Sequence, residues 1–402
     1  MKIQGGLAFD NNTIIEGIKG PTIMSLLPLI DLSTYILPEF MHSVLLGVTR
    51  YITRLWFFIP GPWSIKAHLN NVDKMLTILQ APDSFSRQPR GISYLKQYKA
   101  SELYYWLILY SIPALEKILP EKYFQHWILL VKSIFLLLQD NISKKNLEEA
   151  ETLLSLFVKD IEKLYLDRYL TYNIHQLLHL GLSVRRWGPL WATSTFFFEH
   201  HNGLIANSIN GTKNVGKEII NRLAVANGVK ILKSIVKEND QLENNQQFFA
   251  TALGRILFKN TEDRVYLSHN GFDANQVHMY ARAKLNKSKH GTFTSKRYKQ
   301  LQTNSYTILY QLKNDKKKCY ASIEYFFTVP DSNDIFLVFS TFIVEHPKMF
   351  YHTKTNSVIK HIIPITEGSK VIVKLSDIEL IYKVLRFENY VCLEPNLLHK
   401  IL

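Results

Sequence analysis

The residues best suited to acid–base or metal chemistry are histidines and acids that lie close together along the chain. His175 and His179 stand four positions apart in the segment Tyr172 to Arg186, which has helical apolar spacing. Residues at this spacing share one helix face, so the two imidazoles could bind one metal ion, with Glu199 or His200 as a third ligand. The alternative is that both histidines are buried beside the apolar residues and hydrogen-bonded to the protein.

Two acids occur in patterns that suit a functional site. Glu39 and His42 open a predicted helix, and Glu199 follows three phenylalanines in the run FFFEHHNG. An acid near a dry core needs a cation or hydrogen-bond donors, and a metal ion would satisfy it. The alternative is a carboxylate that caps exposed amides at a helix N-terminus. The sequence contains no phosphate-binding glycine loop, nucleophile elbow or His-Glu-x-x-His helix, which argues against nucleotide hydrolysis.

Composition narrows the class of partner. The 402 residues include 48 Lys and Arg against 34 Asp and Glu, a net charge of +14, which favours a polyanionic partner such as nucleic acid over an acidic membrane surface. Two cysteines, Cys319 and Cys392, exclude a disulfide framework and indicate a reducing compartment. The N-terminus lacks a secretory signal, and the longest apolar runs are shorter than a membrane span of about 20 residues. We therefore expect an intracellular protein without a membrane partner.

Much of the positive charge lies in one basic tract, Tyr280 to Lys318, which contains many lysines and arginines and a single acidic residue, Asp315. The aromatic residues between them could stack on bases or pack on a neighbouring domain. A solvated flexible linker, an arm that contacts phosphates and a nuclear localisation signal all fit this composition. The residues that we assign to DNA contact are Lys284, Lys287, Lys289, Lys296, Arg297, Lys299, Lys316, Lys317 and Lys318.

The elements that must position these residues change in type along the chain. Apolar positions at three- and four-residue steps predict helices, which cover residues 41–58, 65–80, 100–111, 121–138, 146–165, 172–186 and 217–236. Aromatic and β-branched runs then predict strands, which cover residues 305–312, 317–329, 335–344, 370–375 and 389–394. The predicted fold class is therefore α+β, with a mainly helical N-terminal two-thirds followed by a small antiparallel β domain or barrel.

Several short motifs follow one another in order between residues 15 and 225. They read GIKGP at 17–21, LLPLIDL at 26–32, EFMHSVLLGV at 39–48, RQPR at 87–90, YKASE at 98–102, LTYNIHQLLH at 170–179, RRWGPL at 185–190 and FEHHNG at 198–203. This series resembles DNA transposases of the CACTA (EnSpm) type, in the forms found in animal genomes. The basic tract and the β region also resemble the C-terminal part of that family.

The resemblance implies an RNase H-like catalytic core whose two aspartates and one glutamate hold two divalent ions, Mg²⁺ or Mn²⁺, for in-line attack on DNA phosphate. By resemblance, Glu39 to His42 occupies the Asp-x-x-His motif of the family, and Glu199 is the third catalytic carboxylate. Two departures matter: the family has Asp where this chain has Glu39, and its first two catalytic aspartates precede the GIKGP segment. Asp10 and Asp31 are too close together to replace them.

These inferences predict five regions. They are a core remnant with the Glu-x-x-His helix at 1–59, a helical insertion at 60–190, a return to the core with Glu199 at 191–236, a polar and basic linker at 237–304 and the β domain at 305–402. We expect a nuclear, transposase-derived protein that associates with DNA, lacks the complete metal site and is inactive by itself. The alternatives are the C-terminal half of an active transposase that pairs with an N-terminal fragment or with itself, and a protein-interaction or chromatin-associated module.

Overall fold

The computed structural model describes residues 38–209, 211, 214–241, 250–285, 291–298, 303–330, 334–345 and 350–396. Helices form the N-terminal part, and an antiparallel curled sheet with the shape of a half-barrel forms the C-terminal part, so the α+β class is confirmed. The GIKGP and LLPLIDL motifs, Asp10, Asp31, Lys287, Lys289 and Lys299 lie outside the described residues.

Eight helices, several of them composite, are described before the sheet. They are α1 (Phe40–Thr49 with π-type hydrogen bonds, continuing as Arg50–Phe58), α2 (Leu69–Ile78), α3 (Ala100–Tyr105, Trp106–Tyr110 and Ser111–Leu115), α4 (Glu121–Leu137), α5 (Lys144–Tyr165), α6 (Tyr172–Gln176, a 3₁₀ turn at Leu177–His179, and Leu180–Trp187), α7 (Phe196–Asn207) and α8 (Val215–Gln241). The helices predicted from apolar spacing are confirmed, with bounds that differ by a few residues. Among the described residues, no helix has the length and apolarity needed to cross a bilayer.

Helix α4 is the centre of the helical part. Every residue from Tyr123 to Leu137 except Gln125 is buried, as expected for a helix that is apolar on all sides. Trp127 on α4 packs edge-on against Trp56 of α1, with ring centroids 4.9 Å apart. Helix α4 is therefore enclosed by protein, and α1 is held against it.

The C-terminal part contains one large antiparallel sheet and one small one. The strands are β1 (Ala250–Leu253), β2 (His278–Tyr280), β3 (Arg282–Leu285), β4 (Thr292–Thr294), β5 (Thr307–Leu312), β6 (Asp315–Thr328), β7 (Ile335–Val344), β8 (Ile362–Lys374), β9 (Ile378–Lys383), β10 (Leu385–Phe387) and β11 (Tyr390–Cys392). The large sheet has the order β10-β11-β8-β7-β6-β5-β9, with β2 also paired to β6, and the small sheet has the order β1-β3-β4. Register shifts within β5, β6 and β7 bend the large sheet into its curl.

The prediction of a linker at 237–304 is wrong for the residues of this range that are described from Ala250 onward. This stretch contains β1, β2, β3, β4 and a further helix, α9 (Thr261–His269). Ala283 and Leu285 of β3 and Phe293 of β4 are fully or almost fully buried in the core of the sheet region. The described part of the basic tract therefore belongs to the folded sheet region. The high content of Lys and Arg made the alternation of apolar and charged side chains difficult to recognise in the sequence.

The helical part and the β part share one core, which contradicts our expectation of two separable units. Residues of the sheet region, including Phe350, Ile362 and Phe387, belong to the same hydrophobic cluster as the helices. His361 is completely buried, stacks on Phe135 at 3.8 Å and donates from Nε2 to the Ile108 carbonyl, 2.9 Å away. The described helical and β parts therefore pack as one body.

Candidate functional site

Glu39 is the N-cap of α1. Its Oε1 accepts a hydrogen bond from the Met41 amide at 2.9 Å, and its Oε2 accepts one from the His42 amide at 2.8 Å. His42 Nδ1 lies 2.7 Å from the same Oε2. A carboxylate in this position satisfies amides that lack intrahelical partners and complements the positive end of the helix.

The same carboxylate also holds the start of α7, which is far away in sequence. Oε1 accepts a hydrogen bond from the Thr195 amide at 2.8 Å and lies 3.3 Å from Ser194 Oγ. Burial raises the pKa of Glu39, but the amides of Thr195, Met41 and His42 outweigh burial and the net pKa is lowered. Glu39 is therefore an ionised clamp between two helix N-termini, a role that no local pattern in the sequence revealed.

The clamp brings the two acid motifs of the sequence together. His42 Nε2 lies 3.9 Å from Oε1 of Glu199, in the first turn of α7. The side chains of His42 and Glu199 are 58% and 61% exposed, so they meet at an open surface. The expectation that Glu199 lies near a dry core is wrong, because α7 has no buried residue and Phe197 and Phe198 are exposed.

The geometry favours a capping and ion-pair arrangement over a ready metal site. Both oxygens of Glu39 already accept hydrogen bonds, and within the described ranges no three or more His, Cys, Asp or Glu residues are arranged to hold a metal ion. His200 is exposed on α7, with its ring 5.9 Å from that of His201. Arg185 pairs with Glu151 at 2.6 Å.

His175 and His179 are exposed, so the expectation that they are buried is wrong. Ile174 and Leu177 occupy the buried side of α6, and the two imidazoles project outward with their Nε2 atoms 3.4 Å apart. The start of α6 packs closely on α1, because a Cβ built at Gly47 would lie 2.6 Å from the Asn173 side chain. Only glycine fits this helix contact without a shift of Asn173.

Two of the cations assigned to DNA contact are used within the fold. Arg297 forms two hydrogen bonds to the carboxylate of Asp263, which is 3% exposed, at 2.6 and 2.5 Å. Lys296 pairs with Glu324 at 2.7 Å. The charge of each is therefore opposed by an adjacent carboxylate. Their assignment to DNA contact stays a prediction.

The remaining described cations of this group lie on strands. Lys284 is exposed on β3, and Lys316 and Lys317 are exposed at the start of β6, directly after the β5–β6 turn. Lys318 is half-buried, and burial lowers the pKa of its ammonium group. Among these four assigned lysines, Lys318 is the least accessible to a phosphate.

The aromatic residues of the basic tract pack against the sheet. Phe293 is completely buried in the core of the sheet region, with Tyr280 and Tyr306 packed against it. Tyr298 lies under the Arg282 guanidinium, 4.8 Å from its ring centroid. Packing therefore accounts for these rings, and base stacking would require Phe293 to leave the core.

Comparison of the chain with family models, with curated proteins and with solved structures finds no match.

Proposed function

We propose that this chain is a transposase-derived protein that associates with DNA and does not form a working two-metal site by itself. The observation that carries the proposal is the meeting of His42 and Glu199 at 3.9 Å, with Glu39 clamped to Thr195 beside them. By the resemblance, Glu39 and His42 correspond to the Asp-x-x-His motif and Glu199 to the third catalytic carboxylate of the family. Their approach in space across more than 150 residues supports the resemblance, because neither local helix requires it.

DNA is the partner that the charge distribution favours. The chain has a net charge of +14, and Lys284, Lys316 and Lys317 are exposed on the strands of the basic tract. Lysines that replace condensed counterions on DNA give affinity without a requirement for sequence. We therefore expect binding that weakens steeply with salt and depends little on base sequence, in keeping with a nuclear location.

The hydrogen bonds of Glu39 oppose metal binding by this carboxylate in this conformation. Its oxygens accept from three backbone amides, the Ser194 hydroxyl and the His42 imidazole. A carboxylate offers about four lone-pair sites, so a metal ion would have to displace these donors and uncap two helices. Among the described residues, Glu199 belongs to no group of three or more acids, histidines or cysteines that could hold the pair of ions needed for in-line attack on phosphate.

The test is a fluorescence-anisotropy titration of the full chain with duplex DNA at several salt concentrations. Each lost phosphate contact lowers the slope of log K against log salt by about 0.9. Neighbouring residues on a strand point to opposite faces of the sheet. A DNA backbone that lies against one face can therefore contact either Lys317 or the pair Lys316 and Lys318. Replacing all three by Ala should therefore reduce the slope by about 1 to 2.

A matched control is the double variant Lys144→Ala and Lys145→Ala, which removes two exposed lysines from the start of α5. Its slope should equal that of the unmodified chain. An unchanged slope in the triple variant, or equal loss in the control, would contradict the assignment of DNA contact to β6. Mg²⁺-dependent nicking of plasmid DNA by the purified chain would overturn the proposal of an incomplete site.

A second candidate, pairing with an N-terminal transposase fragment, is favoured by the surface of α7 and α8. On α8, Ile220 is 68% exposed, Val225 67% and Leu232 63%. Val225 and Leu232 share one side of the helix, and Ile220 lies on another. A helix with apolar residues on all sides is normally covered by other protein. Co-expression with a chain that carries the first two catalytic aspartates of the family tests this candidate, and failure to form a complex would contradict it.

A further inference from the structure

The two exposed histidines of α6 have the separation that a tetrahedral metal ion requires. The Nε2 atoms of His175 and His179 are 3.4 Å apart, and the ring planes are inclined at 70°. A nitrogen donor in a protein hydrogen bond commonly lies about 2.7–3.2 Å from its acceptor, so this pair is too far apart for a good direct hydrogen bond. Two nitrogens that each lie about 2.0–2.1 Å from a tetrahedral ion are about 3.3–3.4 Å apart.

The backbone that carries the pair is firmly held. A 3₁₀ turn at Leu177–His179 interrupts α6, and such a turn within a helix commonly marks a functional or strained position. Ile174 and Leu177 are buried beneath the two histidines, and Asn173 packs against Gly47 of α1. The two imidazoles are therefore positioned before any ion binds, which lowers the entropic cost of binding.

We propose that His175 and His179 form a binding site for one transition-metal ion of the Zn²⁺, Ni²⁺ or Cu²⁺ type. Imidazole nitrogens suit these ions, whereas Mg²⁺ and Mn²⁺ are suited by carboxylate, carbonyl and water oxygens. Across the residues that the structure describes, no third His, Cys, Asp or Glu completes a group with the pair. Water therefore fills the remaining coordination positions, and the ion exchanges with solvent.

The site is distinct from the surface formed by His42 and Glu199 and does not depend on DNA binding. Ligation requires deprotonated imidazole nitrogens, so the apparent affinity falls as the solution is acidified. Ion binding links the first segment of α6, which carries His175, to the 3₁₀ turn, which ends at His179. It should therefore stabilise α6 against α1 without a change at Glu39.

The experiment is isothermal titration of the full chain with Zn²⁺, repeated with Co²⁺ and followed by its visible absorption. Loss of a group that hydrogen-bonds to a metal ligand typically lowers metal affinity by about 10–100-fold, so loss of a ligand should lower it by at least this much. His175→Ala and His179→Ala should each weaken Zn²⁺ binding to this extent, and a large excess of Mg²⁺ should not displace Zn²⁺. Both residues are exposed, so both variants are expected to fold.

His200→Ala is the matched control, since it removes an exposed helical histidine from α7. Its Zn²⁺ affinity should equal that of the unmodified chain. Undiminished binding by His175→Ala and His179→Ala, or an absence of saturable Zn²⁺ binding by the unmodified chain, would overturn the proposal. Neither outcome bears on salt-dependent DNA binding, so failure of this site is distinguishable from failure of the proposed function.

Discussion

Mild acid should destabilise the fold through two buried histidines. His361 joins the sheet region to α3 and α4, and His126 of α4 donates from Nε2 to the Phe157 carbonyl at 2.8 Å while stacking on the Phe157 ring. Burial lowers the pKa of His361 to about 3 and that of His126 to about 4, although each carbonyl acts in the opposite direction. Both imidazoles are therefore neutral in the folded chain well below the pH at which they would titrate when unfolded.

The sign and size of the effect follow from this difference. An unfolded histidine takes up a proton near pH 6.5, whereas these folded ones do not until about pH 3 to 4, so stability is lost as the pH falls through that window. One pKa unit corresponds to 1.36 kcal/mol, so each histidine should lower the free energy of unfolding by about 2 kcal/mol between pH 7 and pH 5. Together they should remove about 4 kcal/mol, a large share of the 5–15 kcal/mol typical of folded proteins.

Urea denaturation at pH 7, 6 and 5 measures this loss in the unmodified chain and in variants. His361→Gln and His126→Gln remove the titrating group while keeping a side-chain N–H, so each should lose about half of the pH dependence. His269→Gln, which changes an exposed histidine on α9, is the control and should keep it. A free energy of unfolding that is equal at pH 7 and pH 5 would refute the reasoning, as would full pH dependence in the His361→Gln and His126→Gln variants.

Three further substitutions separate structural roles from functional ones. Arg297→Ala leaves Asp263 buried without its partner, so it should cost about 3–5 kcal/mol of stability in urea denaturation and leave the salt slope of DNA binding unchanged. Glu39→Ala removes the N-cap of α1 and the charged hydrogen bond to Thr195, so we expect a loss of about 2–3 kcal/mol in the same assay. Glu199→Gln changes an exposed side chain and should shift stability by less than about 0.5 kcal/mol. A thermal shift with Mn²⁺ in the unmodified chain that this variant lacks would instead support metal ligation by Glu199.

Elements whose side chains form long periodic patterns could be predicted from the sequence. Helix α4 follows from an apolar run longer than three turns, and β6 and β7 follow from aromatic and β-branched residues at strand spacing. Strands β3 and β4 could not be recognised in the same way, because they are only four and three residues long. The alternation in RAKL, where Ala283 and Leu285 are buried, was the available signal.

Contacts between distant segments explain the remaining errors. The partner of His361 is a carbonyl 253 positions away, and that of Lys132 is the Val358 carbonyl, 226 positions away. Every residue carries a backbone carbonyl, so the sequence does not show which carbonyl accepts a given side-chain hydrogen bond. The core shared by the helical and β parts could therefore not be predicted. The partners of Arg297 and Lys296 are acids outside the basic tract, and net charge counted along the tract overstates the charge available to DNA.

The clamp formed by Glu39 reconciles the resemblance with the departure from it. In the family that the sequence resembles, this position is Asp, and an aspartate is a good N-cap for the helix that it begins. The extra methylene of Glu39 lets one carboxylate reach the Met41 amide of its own helix and the Thr195 amide at the start of α7. An acid used in this way stabilises the packing of α1 against α7 and gives up the lone pairs that a metal ion would need. A substitution of this kind preserves the packing of the fold, and Glu39 does not take the place of the two aspartates that precede the GIKGP segment in the family that the sequence resembles.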